Sequence, residues 1–246
     1  MTEKALAGRA GIVTGAGKGI GAAVAMKLAE LGARVVACAR TRTDLDALVA
    51  DITSREGEAT AVVADVTSYA DMVAVAETCL RSYGALDFAI ANAGIVVMGT
   101  MADGDPADWR RLLETNVLGT AHTIRAVLPT MRDQRHGDIV IISSGSGRVT
   151  YTGEPMYVTS KWALSGLGGC LRKEALEYNV RVTLIEPGLV DTPMIRASEE
   201  GRSWLADNVA LTGEDCANAV AYSLSQPEYV TIAQVAVLGT SQAFTY

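Results

Sequence analysis

Histidine is nearly missing from this chain of 246 residues, which carries only His122 and His136, far apart in sequence. Neither stands beside a Cys or carboxylate cluster at metal-ligand spacing, so the sequence offers no support for a metal centre. The four cysteines, Cys38, Cys79, Cys170 and Cys216, include no Cys-x-x-Cys pair. Each falls in an apparent strand or helix, which reads as buried free thiols and not as a disulfide framework. Long uncharged apolar runs are lacking too: none approaches the roughly 18 to 20 residues of a membrane span. Met1-Thr2-Glu3-Lys4 leads into a strand and not into a signal-peptide core, so a soluble, cytoplasmic protein is expected. Basic charge is in deficit, with 21 Lys and Arg against 28 Asp and Glu and a net charge of −7. Without a basic stripe to overrule that balance, there is no electrostatic footprint for nucleic acid. Internal repeats, low-complexity segments and Pro-rich linkers are absent as well, and residues 1–246 read as one domain.

What the chain does have is apolar residues, 49% of the total and dominated by Ala, Gly and Val, enough to bury a sizeable core. Short β-branched runs alternate with helical patterns. Ala10–Thr14, Arg34–Ala39, Ala59–Ala64, Leu86–Ala91, Asp138–Ser143, Arg181–Glu186 and Gln234–Leu238 read as strands. Ile20–Leu31, Thr43–Glu56, Ser68–Tyr83, Pro106–Arg132, Met156–Asn179 and Glu214–Ser225 read as helices. That alternation implies right-handed βαβ crossovers and an α/β fold with a parallel sheet covered on both faces. Ligands of such sheets sit beyond the carboxyl ends of the strands.

Two local patterns carry chemistry. Thr14-Gly15-Ala16-Gly17-Lys18-Gly19-Ile20-Gly21 joins the first strand to the first helix, with glycines spaced Gly-x-x-x-Gly-x-Gly through Gly15, Gly19 and Gly21. Strand, glycine turn and helix make an anion site, because glycine permits tight backbone and close phosphate approach while the helix N-terminus offers free N–H groups. The second pattern is Tyr157 with Lys161 four residues on and Ser144 thirteen residues before it. An unperturbed phenol, with a pKa of about 10, is a poor base at neutral pH and needs a nearby cation. Residues four apart on a helix share a face, so Lys161 can supply one. Taken alone, the same spacing also fits an ordinary surface helix pair.

Read together over nearly the whole chain, Thr14 to Gly21, Asp65-Val66, Asn92-Ala93-Gly94, Asn116, Ser144, Tyr157, Lys161 and Pro187-Gly188 resemble the short-chain dehydrogenase/reductase family. That resemblance implies a single-domain Rossmann-like, doubly wound sheet and a dinucleotide site. Gly15, Gly17, Lys18, Gly19, Ile20 and Gly21 would cradle phosphates. Asp65 and Val66 would contact adenine, although Asp65 also fits a helix cap. Asn92, Ala93 and Gly94 would lie by the ribose, and Pro187, Gly188, Val190 and Thr192 near the nicotinamide. It implies Tyr157 as the acid/base, Lys161 lowering its pKa and holding the ribose, Ser144 polarising the substrate oxygen, and Asn116 supporting a relay water. A mid-helix Asn is otherwise locally unfavourable. Ala91 departs from the family, which usually has Asn there.

Cofactor choice turns on charge at the end of the second strand. An NAD-preferring relative would usually carry an acid at Ala39, whereas Arg40 follows here with Thr41 and Arg42, and Lys18 adds a second cation; NADP(H) is expected. Met194 to Asn208 is expected to form a mobile lid, part of a segment around 190–210. Val96, Val97, Met98, Val149, Tyr151, Met156, Met194, Ile195, Trp204 and Leu205 would give a moderately apolar pocket. Arg148 or Arg196 could pair with a substrate carboxylate. Gly147-Arg148-Val149, Ile185-Glu186-Pro187-Gly188 and the stretch from Gly99 to Gly119 resemble the branch of clavulanic-acid-forming aldehyde reductases and 3-hydroxy acid or serine dehydrogenases, favouring a small polar carbonyl or alcohol substrate. The family implies a homodimer or homotetramer, with Ala163 to Leu171 and the tail from Gly239 to Tyr246 available for it. Two other classes remain open: a non-catalytic sensor of the NADP(H) pool, and an epimerase or dehydratase on the same scaffold.

Overall fold

The computed structural model describes residues 4–242. Seven strands form one parallel sheet: β1 Ala10–Thr14, β2 Arg34–Ala39, β3 Glu58–Val63, β4 Phe88–Ala91, β5 Gly137–Ile142, β6 Val180–Pro187 and β7 Gln234–Val237, in the order 3-2-1-4-5-6-7. The order reverses between β1 and β4, which pair through Gly11–Phe88, Ile12–Ala89 and Val13–Ile90. Loops leaving the carboxyl ends of two strands that run off in opposite directions cannot close over each other, and a crevice opens there. Buried on both faces, β1, β4 and β5 are apolar and β-branched without alternation.

Helices cover both faces. On one lie α1 Gly19–Glu30, α2 Arg42–Ser54 and α9 Gly213–Leu224, sharing a core with Val13, Val35, Phe88, Ile90, Val140 and Ile185. On the other lie α3 Tyr69–Tyr83, α5 Gly119–Gln134 and α6 Pro155–Ala175, packed on Ile12, Val36, Ala89, Ile139, Ile141 and Val182. Local chemistry sets several boundaries: Ser68 accepts from the Asp71 N–H to start α3, Gly84 at φ +72° ends it, and Thr212 with Asp215 forms a capping box on α9.

The expected helix from Pro106 to Arg132 is three pieces: α4 Pro106–Leu113, a π turn Glu114–Leu118 and α5. Asn116 sits in that turn, where an i→i+5 bulge relaxes the backbone constraint a mid-helix Asn meets in regular α-helix. Likewise 194–208 is not an open loop but two short helices, α7 Pro193–Arg196 and α8 Glu199–Asp207. A parallel bridge between Val190 and Leu211 ties the two ends of that segment together. No helix among the described residues is long and apolar enough to cross a membrane.

Candidate active site

A cavity of about 810 Å³ opens at the carboxyl ends of β1, β2, β4, β5 and β6. Its first half is the glycine turn. Gly15 and Gly19 take φ of +63° and +58°, a left-handed backbone that suits glycine. A Cβ on Gly15 would lie 2.8 Å from Ala93 Cα, and one on Gly21 2.3 Å from the Gly15 carbonyl oxygen, so side chains here would close the turn. Thr14 pins this loop to its neighbour: its Oγ1 accepts from the N–H groups of Asn92 and Ala93 and donates to the Ile90 carbonyl. Asn92 Nδ2 donates back to Thr14 O at 2.8 Å. Ala91, the family departure, leaves β4 fully paired with β5. α1 begins at Gly19 without any side-chain cap, so its first-turn N–H groups face the turn. Bare backbone, a helix dipole, Lys18 and Arg40 together fit a dinucleotide phosphate group.

The cations are less simple than the sequence suggested. Lys18 Nζ lies 3.2 Å from Asp44, itself on the cavity wall, and Arg42 is engaged by Asp46. Asp65 accepts from the Thr67 backbone and hydroxyl, which removes the helix-cap alternative, since Ser68 caps α3.

The second half of the cavity holds Ser144, Tyr157 and Lys161. Tyr157 and Lys161 stand on the first two turns of α6, with Lys161 Nζ 5.5 Å from the phenol ring centroid. Lys161 also donates to the Ile142 carbonyl at 3.2 Å. Burial dominates both groups. It pushes Tyr157 up to about 12, against the Ser144 hydroxyl, which favours the phenolate, and with the Glu154 carboxylate adding to the rise. It pulls Lys161 down to about 8. With burial the leading influence, the phenol of Tyr157 is held neutral at pH 7.

Of the sequence-expected site residues, Gly15, Gly17, Lys18, Gly19, Ile20, Gly21, Arg40, Asp65, Val66, Asn92, Ala93, Gly94, Ser144, Tyr157, Lys161, Pro187, Gly188, Val190 and Thr192 all line this one cavity. Asn116 does not. It is buried behind the wall, where Oδ1 accepts from Ile95 N and Nδ2 donates to Ile95 O and Ser160 Oγ, tying the loop after β4 to α6. Val96, Tyr151, Met194, Ile195 and Trp204 face the cavity, whereas Val97, Met98, Val149, Met156 and Leu205 are not part of its lining. Both loop arginines are engaged within the protein: Arg148 Nε reaches the buried Glu186 at 2.7 Å, and Arg196 forks onto Asp191. Sequence reasoning missed Glu154, Ser146, Asp44 and Gln242 on the wall. Gln242 Oε1 accepts from Leu189 N and fixes the loop after β6.

The short chain dehydrogenase family model matches residues 9–203. The chain belongs to this family. An uncharacterized oxidoreductase of Listeria monocytogenes is 34% identical over 238 residues, covering 94% of this chain and 96% of the relative. One from Staphylococcus saprophyticus is 33% identical over 227 residues, covering 92% and 95%. Among solved structures, a metagenomic short-chain oxidoreductase in complex with NADP superposes with a TM-score of 0.83 at 33% identity, over 96% of this chain and 99% of that one. Levodione reductase gives 0.87 at 26% identity, over 94% and 96%. This short-chain dehydrogenase is an oxidoreductase with a Rossmann-like parallel sheet, and its glycine turn, Tyr157 and Lys161 share a single cavity.

Proposed function

We propose that the protein is an NADP(H)-dependent oxidoreductase interconverting a small aldehyde or ketone and its alcohol. The observation that carries this reading is the continuity of one cavity from a capless helix N-terminus to the Ser144–Tyr157–Lys161 group. The NADP complex of the metagenomic relative supports the cofactor class.

The backbone of Gly15, Gly17, Gly19, Ile20 and Gly21 holds the pyrophosphate, with Arg40 and Lys18 meeting the 2′-phosphate. Asp65 and Val66 contact adenine, Asn92, Ala93 and Gly94 the ribose, and Pro187, Gly188, Val190 and Thr192 the nicotinamide end. The dinucleotide, when bound, supplies or accepts the hydride. In reduction Tyr157 gives its phenolic proton to the carbonyl oxygen, a role that suits a hydroxyl kept neutral by burial. Ser144 donates to the same oxygen and orients it. Lys161 stabilises the phenolate left behind and holds the ribose, and Asn116 supports proton exchange from behind the wall. The segment around 190–210 closes as a lid from its Val190–Leu211 anchor. The protein works as a cytoplasmic homodimer or homotetramer.

The test is consumption of NADPH, beside NADH, across a panel of small aldehydes, ketones and keto acids. Turnover is expected to favour NADPH and to fall by about 10²–10⁴-fold in Tyr157→Phe. Equal turnover by the two proteins sinks the assignment.

A further inference from the structure

A Ser or Thr at the N-cap with an Asp three residues later opens α2 as Thr41–Asp44, α3 as Ser68–Asp71 and α9 as Thr212–Asp215. Such a pair ordinarily closes on itself: the hydroxyl takes the N–H of the acid, and the acid reaches back to the cap. At α9 both bonds form, and at α3 Ser68 Oγ accepts from the Asp71 N–H and donates to its carboxylate. At α2 neither bond forms among the described residues. The Asp44 side chain lies instead over the glycine turn. A Cβ on Gly17 would sit 3.3 Å from Asp44 Cβ and 3.7 Å from its Oδ2, and that Oδ2 is 3.2 Å from Lys18 Nζ. Lys18, Arg40 and Asp44 share the same end of the cavity wall. A carboxylate released from capping thus stands where two cations are offered to a phosphate.

We propose that Asp44 is a cofactor-specificity residue, which competes with the 2′-phosphate of NADP(H) for Lys18 and so narrows the preference for NADPH over NADH. The inference rests on the NADP(H) reading of this end of the cavity. With a free ribose hydroxyl there, the Lys18–Asp44 pair stays closed. A 2′-phosphate brings a charge of about −2, and Lys18 must leave Asp44 to meet it. The carboxylate, without its counter-ion, then stands beside a like charge. Both the broken pair and the repulsion fall on the phosphate-bearing cofactor, whereas the pyrophosphate is common to NADPH and NADH and cancels in the comparison. The Lys18 side chain is 62% exposed, so water limits the effect to the few-fold range of exposed ion pairs.

The experiment is calorimetric titration of the whole protein with adenosine 2′,5′-bisphosphate and with 5′-AMP, two ligands that differ only in the 2′-phosphate. The proteins are the wild type, Asp44→Asn, Asp44→Ala, Lys18→Ala and the variant carrying both Lys18→Ala and Asp44→Asn. Asp46→Asn is the control: Asp46 lies on the same helix and pairs with Arg42, so the variant removes the same charge without freeing Lys18. Both Asp44 variants are expected to raise the ratio of bisphosphate to 5′-AMP affinity about three- to fivefold, and Asp46→Asn to leave it unchanged. Lys18→Ala should lower that ratio less than about twofold in the wild type but about three- to fivefold in Asp44→Asn, where the ammonium gives up no partner to reach the phosphate. The proposal is overturned by an unchanged ratio in the Asp44 variants, an equal rise in Asp46→Asn, or a gain in Asp44→Asn that Asp44→Ala does not share. A loss on Lys18→Ala of the same size in both backgrounds overturns it too. Failure of the NADP(H) reading has a different signature: the wild type then binds the bisphosphate no better than 5′-AMP, and Arg40→Ala leaves that ratio unmoved.

Discussion

The two ends of β5 and β6 treat buried charge in opposite ways. At their amino ends Asp138 is bonded by Arg181 Nε at 2.6 Å and Nη2 at 2.9 Å, and by Arg9. Arg181 Nη1 goes on to the carbonyls of Gln226, Pro227 and Val230, each at 3.0 Å, and Arg9 Nη1 to that of Leu224. Both carboxylate oxygens and most guanidinium donors are used, and this network joins β1, β5, β6 and the chain after α9. At the carboxyl ends, by contrast, Glu154 and Lys161 are buried and Tyr157 half-buried, with desolvation as the leading influence on each. A buried ion that is fully paired locks structure together, whereas one left short of partners is held near its titration point and can give or take a proton. The same sheet is therefore closed electrostatically at its foot and left reactive at its head.

Removing the central carboxylate of the paired end is the largest perturbation. Asp138→Ala strands two arginines, and loss of one partner from a buried pair costs about 3–5 kcal/mol. In a domain of this size that lowers the Tm by about 10 °C, measurable by thermal denaturation. Little change would mean that the two ends do not differ as described. At the reactive end the sign reverses. The folded-state pKa of Glu154 is raised from the ordinary 4.5 to about 7, so its neutral form favours the fold. That stability is fully present below 4.5 and lost as pH rises through about 7. Glu154→Gln should therefore be the more stable protein at pH 8, by about 3 kcal/mol, and level with the wild type near pH 4. Denaturant titrations at the two pH values check it.

How much of this was legible follows the same division. The glycine turn, the Tyr157–Lys161 pair and six of the seven strands to within one residue at each end lie in short continuous stretches, where period and spacing record the geometry. β4 shrank because Leu86 and Asp87 serve the entry turn, with the Asp87 carboxylate accepting from Ala10 N. Asp138 read only as the first residue of a strand, because its partners lie 129 and 43 residues away in sequence. Glu154 stands between Gly153 and Pro155, a context that suggests a solvated loop, and only the path of that loop carries it inside. Arg148 gives a related case: a loop arginine does not announce its carboxylate when that carboxylate is Glu186, 38 residues on.

A smaller effect separates the cofactor end from both. Among the described residues Arg40 forms no ion pair with a carboxylate, while Lys18 already faces Asp44, so Arg40 should carry most of the discrimination for a 2′-phosphate. Arg40→Ala is expected to weaken NADPH about tenfold with NADH nearly unchanged, read by fluorescence titration; parallel losses would place Arg40 outside the phosphate site.

The smallest effect belongs to the exposed pair of Arg196 and Asp191, which looks strong by geometry, a bidentate fork on the segment that begins at Thr192. Its arginine side chain is 64% exposed. Water screens such a pair, and exposed bridges contribute about 0–1 kcal/mol. Arg196→Ala should therefore shift the Tm by no more than about 2 °C. The Asp191 carboxyl, which Arg196 holds below its ordinary 3.8, would return toward that value, readable by NMR titration. A fall in Tm as large as that of Asp138→Ala would show that burial does not set the worth of a charge pair in this fold. The contrast between the two ends of the sheet would then need a cause other than solvent access.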